Sequence, residues 1–216
     1  MHYLHQQIPQ KSKMSKERKQ PDFDLREAIL ESANRLFLEQ GYEKTSIRRI
    51  MQDTGYSPAM VYQHFRNKED IFFTLHHRAF DELYQRFQLV IRIPHPGERL
   101  RELGRVYIDY ALQHPQHYDL IFIMRQPLSA QDKKQEHWQI GERTFNILRQ
   151  TVAEAMEKGI LPRRDIDAVA TMIWSAVHGI ASLYIRDRMI IFEEADLQQR
   201  VQDALASFSD MLLAHQ

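Results

Sequence analysis

Cysteine is absent from this chain of 216 residues, so neither disulfides nor thiol chemistry can contribute to its stability or its function. Glycine is scarce, at 7 residues, and the period-two alternation of strands is missing. No stretch of about 18 apolar residues occurs, so no transmembrane helix is expected. The first twenty residues lack the apolar segment of a signal peptide, and with the missing cysteines this places the expected site of action in the cytoplasm, away from any membrane. Signatures of catalysis are lacking too. There is no glycine-rich phosphate loop, no nucleophile elbow and no His-Glu-x-x-His pair, and the carboxylates are dispersed along polar faces. Eleven histidines invite a metal reading, but His76 and His77 point apart on a helix, and Pro115 interrupts the face that His114 and His117 would share. No metal and no cofactor are expected.

Net charge is lacking as well, and a formal charge of zero by itself speaks against a nucleic-acid binder. The distribution is uneven, however. Residues 1–20 carry Lys11, Lys13, Lys16, Arg18 and Lys19 against one glutamate, while residues 21–68 hold seven charges of each sign. The N-terminal run reads as a basic arm able to track phosphates, or as a solvated tail.

What the chain does have is apolar residues at helical spacing almost throughout, and 43% apolar composition to build a core. Helices are expected over 24–40, 67–90, 98–113, 116–124, 130–158, 165–188 and 195–214, with breaks at Pro94-His95-Pro96-Gly97, His114-Pro115, Pro127 and Gly159. Two short helices lie between the first and second of these. Thr45 and Ser46 are cap residues, and Ile47, Ile50 and Met51 form one face. Gly55 suits a left-handed turn, Ser57 is the next cap, and Pro58 fits the first helical position. Val61 and Phe65 then face inward, and Asn67 caps the helix that follows.

Helix, glycine turn and helix over 46–65 fit a helix-turn-helix, whose second helix enters the major groove. Ser57 and Ala59 are small enough for close backbone approach. Met60 can touch a thymine methyl, and the Gln63 amide can pair with a base. Thr45, Arg48, Tyr62, His64 and Lys68 suit phosphates, with Thr45 and Lys68 at helix N-termini. Ser46 and Pro58 complete the candidate surface.

These residues resemble the TetR family of bacterial transcription regulators. The similarity runs from Asp24 to about Phe73. It rests on Phe37, Gly41, Tyr42, Thr45 and Ser46, and on Val61, Tyr62, His64, Phe65, Lys68 and Glu69. Many members have Lys-Gly or Arg-Gly where this chain has Pro58-Ala59, so a contact made by that cation is not carried over.

The resemblance implies an all-α protein of about nine helices. Residues 1–21 are the arm, 22–82 the three-helix DNA-binding unit, and 83–216 a body that binds an effector and dimerises. The last two helices, about 165–188 and 195–214, would pair with those of a second copy, setting two reading helices ~34–36 Å apart on a pseudo-palindromic double-stranded operator. Repression relieved by a small, mainly lipophilic effector is the function implied. A helical-bundle enzyme and a DNA-organising protein without an effector switch are the alternatives.

Aromatic residues from several helices are the candidates for an effector pocket. They are Phe80, Tyr84, Tyr107, Tyr110, Phe122, Trp138, Phe145 and Trp174, with His178 as a polar handle. Trp174 and His178 are four apart in a Trp-x-x-x-His-Gly run similar to one seen in a subgroup of the family. On the residues alone, a core histidine bonded to a main-chain carbonyl is the preferred reading of His178.

Overall fold

A computed structural model describes residues 21–124 and 134–214, without the side chains of 21–24 and 134–138. The basic arm therefore lies outside the described residues. Among those described there is no strand, and the helices are α1 (Pro21–Gln40), α2 (Ile47–Thr54), α3 (Pro58–His64), α4 (Lys68–Val90), α5 (Pro96–Gln113), α6 (Pro115–Tyr118), α7 (Lys134–Glu157), α8 (Ile166–Ile185) and α9 (Leu197–Leu213). A π-helical stretch, Asp119–Ile123, continues α6, and a 3₁₀ turn, Glu194–Asp196, precedes α9.

Local chemistry sets most of the boundaries. Ser46, Ser57, Asn67 and Asp165 each accept a bond from a main-chain N–H three residues on, satisfying an orphan donor at the start of α2, α3, α4 and α8. Gly55 closes α2 at φ 72°, a conformation that costs a side-chain-bearing residue energy. The prolines behave differently from expectation. Pro96 and Pro115 each open a helix instead of preceding one, because their missing N–H falls among donors that have no helical partner anyway. The helix expected over 116–124 begins a residue earlier, at Pro115, and its last turn widens until Met124 N–H donates to Asp119 O at 2.7 Å. α8 stops at Ile185, short of Arg188, where Asp187 turns into the left-handed region at φ 52°.

α1 to α3 and the first half of α4 enclose a small core of their own. Phe37, Tyr42 and Phe72 meet with ring centroids 5.1–5.9 Å apart, beside buried Ile29, Leu36, Ile50, Val61 and Phe65. Arg78 grips Glu27 through two bonds of 2.6 and 2.7 Å, tying α4 to α1. Ser32 and Arg35 both donate to Asp53, tying α1 to α2. The second half of α4 packs with α5, α7, α8 and α9 around the larger core of the body. Gly104 is a point of close approach in that core, since a Cβ there would lie 3.1 Å from Leu205 Cδ1 and 3.5 Å from Val177 Cγ1. The boundary expected at residue 82 falls inside α4, which is one unbroken helix shared by both cores.

Candidate functional site

The reading helix is held by its inner face and left bare on the outer one. Val61 and Phe65 are fully buried, and Arg26 lies over the Phe65 ring at 5.1 Å. Ser57, Pro58, Ala59, Met60, Tyr62 and Gln63 are all exposed, and His64 is half-buried. On α2, Ser46 is exposed but spends its hydroxyl on the Arg49 N–H at 3.1 Å, while the Arg48 side chain stands in solvent. Lys44 and Arg49 are further exposed cations of this segment that sequence reasoning passed over. Their charge and their position beside the cap were the signal available.

Two of the expected phosphate contacts are placed otherwise. Thr45 is 1% exposed, and its hydroxyl lies 3.1 Å from Leu36 O and 3.0 Å from Gly41 O. It is a buried staple between the end of α1 and the start of α2, with its hydroxyl turned to main-chain carbonyls. The sequence pattern could not separate two adjacent hydroxyl residues; the fold gives the cap to Ser46 and the interior to Thr45. Lys68 is half-buried, donates to Tyr42 O at 2.8 Å and sits 3.9 Å from the centre of the Tyr42 ring. Desolvation holds its ammonium below the usual lysine range. It therefore pins the loop after α1 to the start of α4.

In the body, α4, α5, α7, α8 and the π-helical stretch surround a cavity of about 460 Å³. Of the expected residues, Phe80, Tyr107, Phe122, Phe145, Trp174 and His178 line it. Tyr110 does not, because its ring is fully buried beyond the wall and its hydroxyl donates to Ala79 O at 2.7 Å. Tyr84 is half-buried outside the lining, and the Trp138 side chain lies outside those described. Phe87 lies in the wall as well, and Leu83, Leu103 and Leu148, which sequence reasoning passed over, complete much of it. Aliphatic residues at core spacing give no sign of whether they face a neighbour or an empty space.

One end of the cavity is polar. His178 Nδ1 lies 3.0 Å from the Tyr107 hydroxyl and 3.1 Å from that of Tyr118, which is also 3.2 Å from His178 O. Burial pushes Tyr118 up to about 12 and Tyr107 well above its ordinary value, and it pushes His178 down. Both phenols are thus protonated and the imidazole neutral at neutral pH. The network is satisfied when Tyr107 donates to Nδ1 and Tyr118 to the main-chain carbonyl, which assigns the remaining proton to Nε2. His178 is bonded to tyrosine hydroxyls rather than through its ring to a main-chain carbonyl, the arrangement preferred on sequence alone.

A line of rings joins the cavity to the head. Phe72 stacks on His76 at 5.9 Å, His76 meets Phe80 at 4.9 Å, and Phe80 meets Phe122 at 5.5 Å. Phe122 in turn meets Trp174 at 6.0 Å.

A bare-faced helix-turn-helix mounted by a continuous helix on a hollow helical body defines a class of regulatory protein. Comparison agrees with this. Residues 29–75 match the family described as bacterial regulatory proteins, tetR family, and residues 100–208 match the tetracyclin repressor-like C-terminal domain. The chain belongs to the TetR family of transcriptional regulators.

It is similar to the transcriptional repressor AcnR of Corynebacterium glutamicum, at 44% identity over 50 residues, 23% of this chain and 27% of that protein. The chain thus spans about a quarter of the length of the curated relatives it matches at that identity. Similarity to the probable acrEF/envCD operon repressor of Escherichia coli K12 is longer, at 26% over 179 residues, covering 80% of this chain and 81% of the relative. Among solved structures, AibR in complex with isovaleryl coenzyme A and operator DNA superposes with a TM-score of 0.70, at 22% identity over 88% of this chain and 98% of that one. PfmR of Thermus thermophilus gives 0.69, at 23% identity over 87% and 95%.

Proposed function

We propose that this protein is a sequence-specific transcriptional repressor that binds an operator as a homodimer and is released by a small, mainly apolar effector. One observation carries the reading. α3 exposes Ser57, Ala59, Met60, Tyr62 and Gln63 together while Val61 and Phe65 fix it rigidly to the head. A short helix with a bare polar and small-residue face, backed by a packed core, meets the geometric demand of major-groove reading. Ala59, Met60 and Gln63 read bases, and Arg48, Tyr62 and His64 set register on phosphates. Affinity in a charge-neutral unit then depends on a doubled site and on any contribution of the basic arm.

The outer faces of α8 and α9 support the homodimer. Among the described residues α8 is the helix long and apolar enough to cross a membrane by length and composition, yet only 22% of that window is buried within one chain. Ile166, Met172, Leu183 and Met211 are exposed, and a groove lined by Val169, Met172, Phe208, Met211 and Leu212 runs between the two helices. Apolar area of this kind is covered at a helix–helix seam with a second copy. That pairing explains an apolar helix without a membrane, and a regulator of this type acts in the cytoplasm.

The effector occupies the cavity. Its walls are aromatic and aliphatic, so an apolar body is favoured, and His178 in the lining supplies one polar group to orient it. The structural neighbour AibR is seen in complex with isovaleryl coenzyme A, of which only the short acyl end has that apolar character. Filling the cavity shifts Phe80 and α4, and the aromatic line along α4 carries the shift to the head. An effector moves the equilibrium only by its difference in affinity for the two states.

The test is selection of bound duplexes from a random DNA pool by the purified protein. A recovered inverted repeat with half-sites about one helical turn apart supports the reading. Recovery of no sequence preference overturns it.

A further inference from the structure

The corner between α5 and α6 gathers three side chains that neither the reading helix nor the cavity uses. Glu82 comes from α4, His114 ends α5, and His117 lies in α6. Pro115, expected from the sequence to break the face shared by the two histidines, instead opens α6 directly after His114. The imidazoles therefore stay on one side and stack, with centroids 5.3 Å apart and planes 10° from parallel. Glu82 Oε1 lies 3.2 Å from His114 Nε2, and Glu82 Oε2 lies 3.2 Å from His117 Nδ1. One nitrogen from each ring and a carboxylate oxygen all fall within 4.8 Å of one another.

Those spacings resemble the edges of a coordination polyhedron. Bonds of about 2.0–2.1 Å in a tetrahedral site put neighbouring donor atoms about 3.3 Å apart. His117 Nδ1 is shielded from solvent and faces the Glu82 carboxylate at 3.2 Å, so it is aimed into the cluster.

A cation already sits at the edge of the cluster. Arg86 Nη2 lies 3.0 Å from Glu82 Oε1 and 2.9 Å from His114 Nε2. The same guanidinium reaches Gln113 Oε1 at 3.2 Å and lies 5.3 Å from the centre of the Tyr110 ring. Gln113 and Tyr110 give it a place to stay when it yields the other two atoms.

We propose that Glu82, His114 and His117 form a binding site for one divalent first-row transition ion, of which Zn²⁺ is the type, with the remaining coordination positions open to water. Two imidazoles and a carboxylate suit Zn²⁺, Co²⁺, Ni²⁺ and Cu²⁺, and they disfavour Mg²⁺ and Ca²⁺, which take oxygen sets. The ion would tie α4, the helix shared by head and body, to the start of α6. The site is separate from the effector cavity, so its test is independent of DNA binding.

The full-length protein, stripped with a chelator and dialysed, is titrated with Co²⁺ and followed by visible d–d absorption, then with Zn²⁺ by calorimetry. One Co²⁺ per chain with the intense bands of a low-coordinate site is expected, displaced by Zn²⁺. His117→Ala and Glu82→Gln each weaken Zn²⁺ binding at least tenfold, with helix content by circular dichroism unchanged. Arg86→Ala, which removes the competing cation, binds at least as tightly as the parent. The proposal is overturned if the stripped protein gives no such bands. Equal Zn²⁺ affinity in the parent and in the combined His114→Ala, His117→Ala variant also overturns it, since the chain's other histidines would then be the ligands.

Discussion

The Tyr107 hydroxyl of α5 and Nδ1 of His178 in α8 lie 3.0 Å apart, closing the polar end of an otherwise apolar cavity. Replacing His178 with Phe keeps the ring but removes the acceptor, leaving a nearly buried phenol without this partner. The expected cost is about 1–3 kcal/mol of folding stability, measured by urea denaturation. Tyr107→Phe removes the other half of the pair and is expected to cost less, about 1 kcal/mol. A His178→Phe protein as stable as the parent would contradict the role given to this bond.

The same imidazole sets an acid limit. Burial lowers the pKa of His178 and of His117 below the ordinary 6.5 of the unfolded chain. Between the folded and unfolded values the unfolded chain binds more protons, so stability rises with pH through that window. Their contribution is complete above 6.5 and is lost as the pH falls through the lower, folded values. The denaturant midpoint is expected to decline below 6.5, before carboxylates protonate near 4.5. In the combined His117→Gln, His178→Asn variant this early decline should flatten.

Gln63 and Tyr62 are both exposed on α3 but have different roles. Gln63→Ala is expected to relax preference at one base position, costing about 1–3 kcal/mol at the best operator. Tyr62→Phe should weaken all sequences alike. Binding measured across single-base operator variants distinguishes the two patterns.

Thr45 and Arg48 make a second contrast. Thr45→Val leaves the Leu36 and Gly41 carbonyls without the hydroxyl and is expected to cost about 1 kcal/mol of stability. It should leave the salt dependence of DNA binding intact. Arg48→Ala should do the reverse, leaving stability unchanged and lowering the salt slope by about 1. A reduced slope in Thr45→Val would mean that this hydroxyl reaches a phosphate after all.

Gly55 ends α2 in the left-handed region, and a Cβ added there would meet nothing within 4 Å. The penalty of Gly55→Ala is therefore purely conformational, about 1 kcal/mol, and is read from the shift in thermal midpoint.

The legible parts of the molecule were those governed by short-range chemistry. Ser57-Pro58 and Asn67 declare helix starts because a hydroxyl or amide must satisfy main-chain donors within three residues. Val61 and Phe65 declare an inner face because their spacing is helical. The cavity was half legible. Aromatic residues from several helices suggested one, but Tyr110 and Tyr84 look no different in sequence from Tyr107. Only the rotation of each helix against its neighbours decides which ring meets open space.

By itself the sequence determined the helices, the turn between α2 and α3, and the bare face of α3, since caps, turns and periodicity act within a few residues. Tertiary structure decided the rest, because those outcomes depend on elements distant in the chain. It buried Thr45 and gave the cap to Ser46, and it turned Lys68 onto the Tyr42 carbonyl. It set Tyr107 and Tyr118 around His178, and it brought Glu82 within 3.2 Å of two histidines more than thirty residues away.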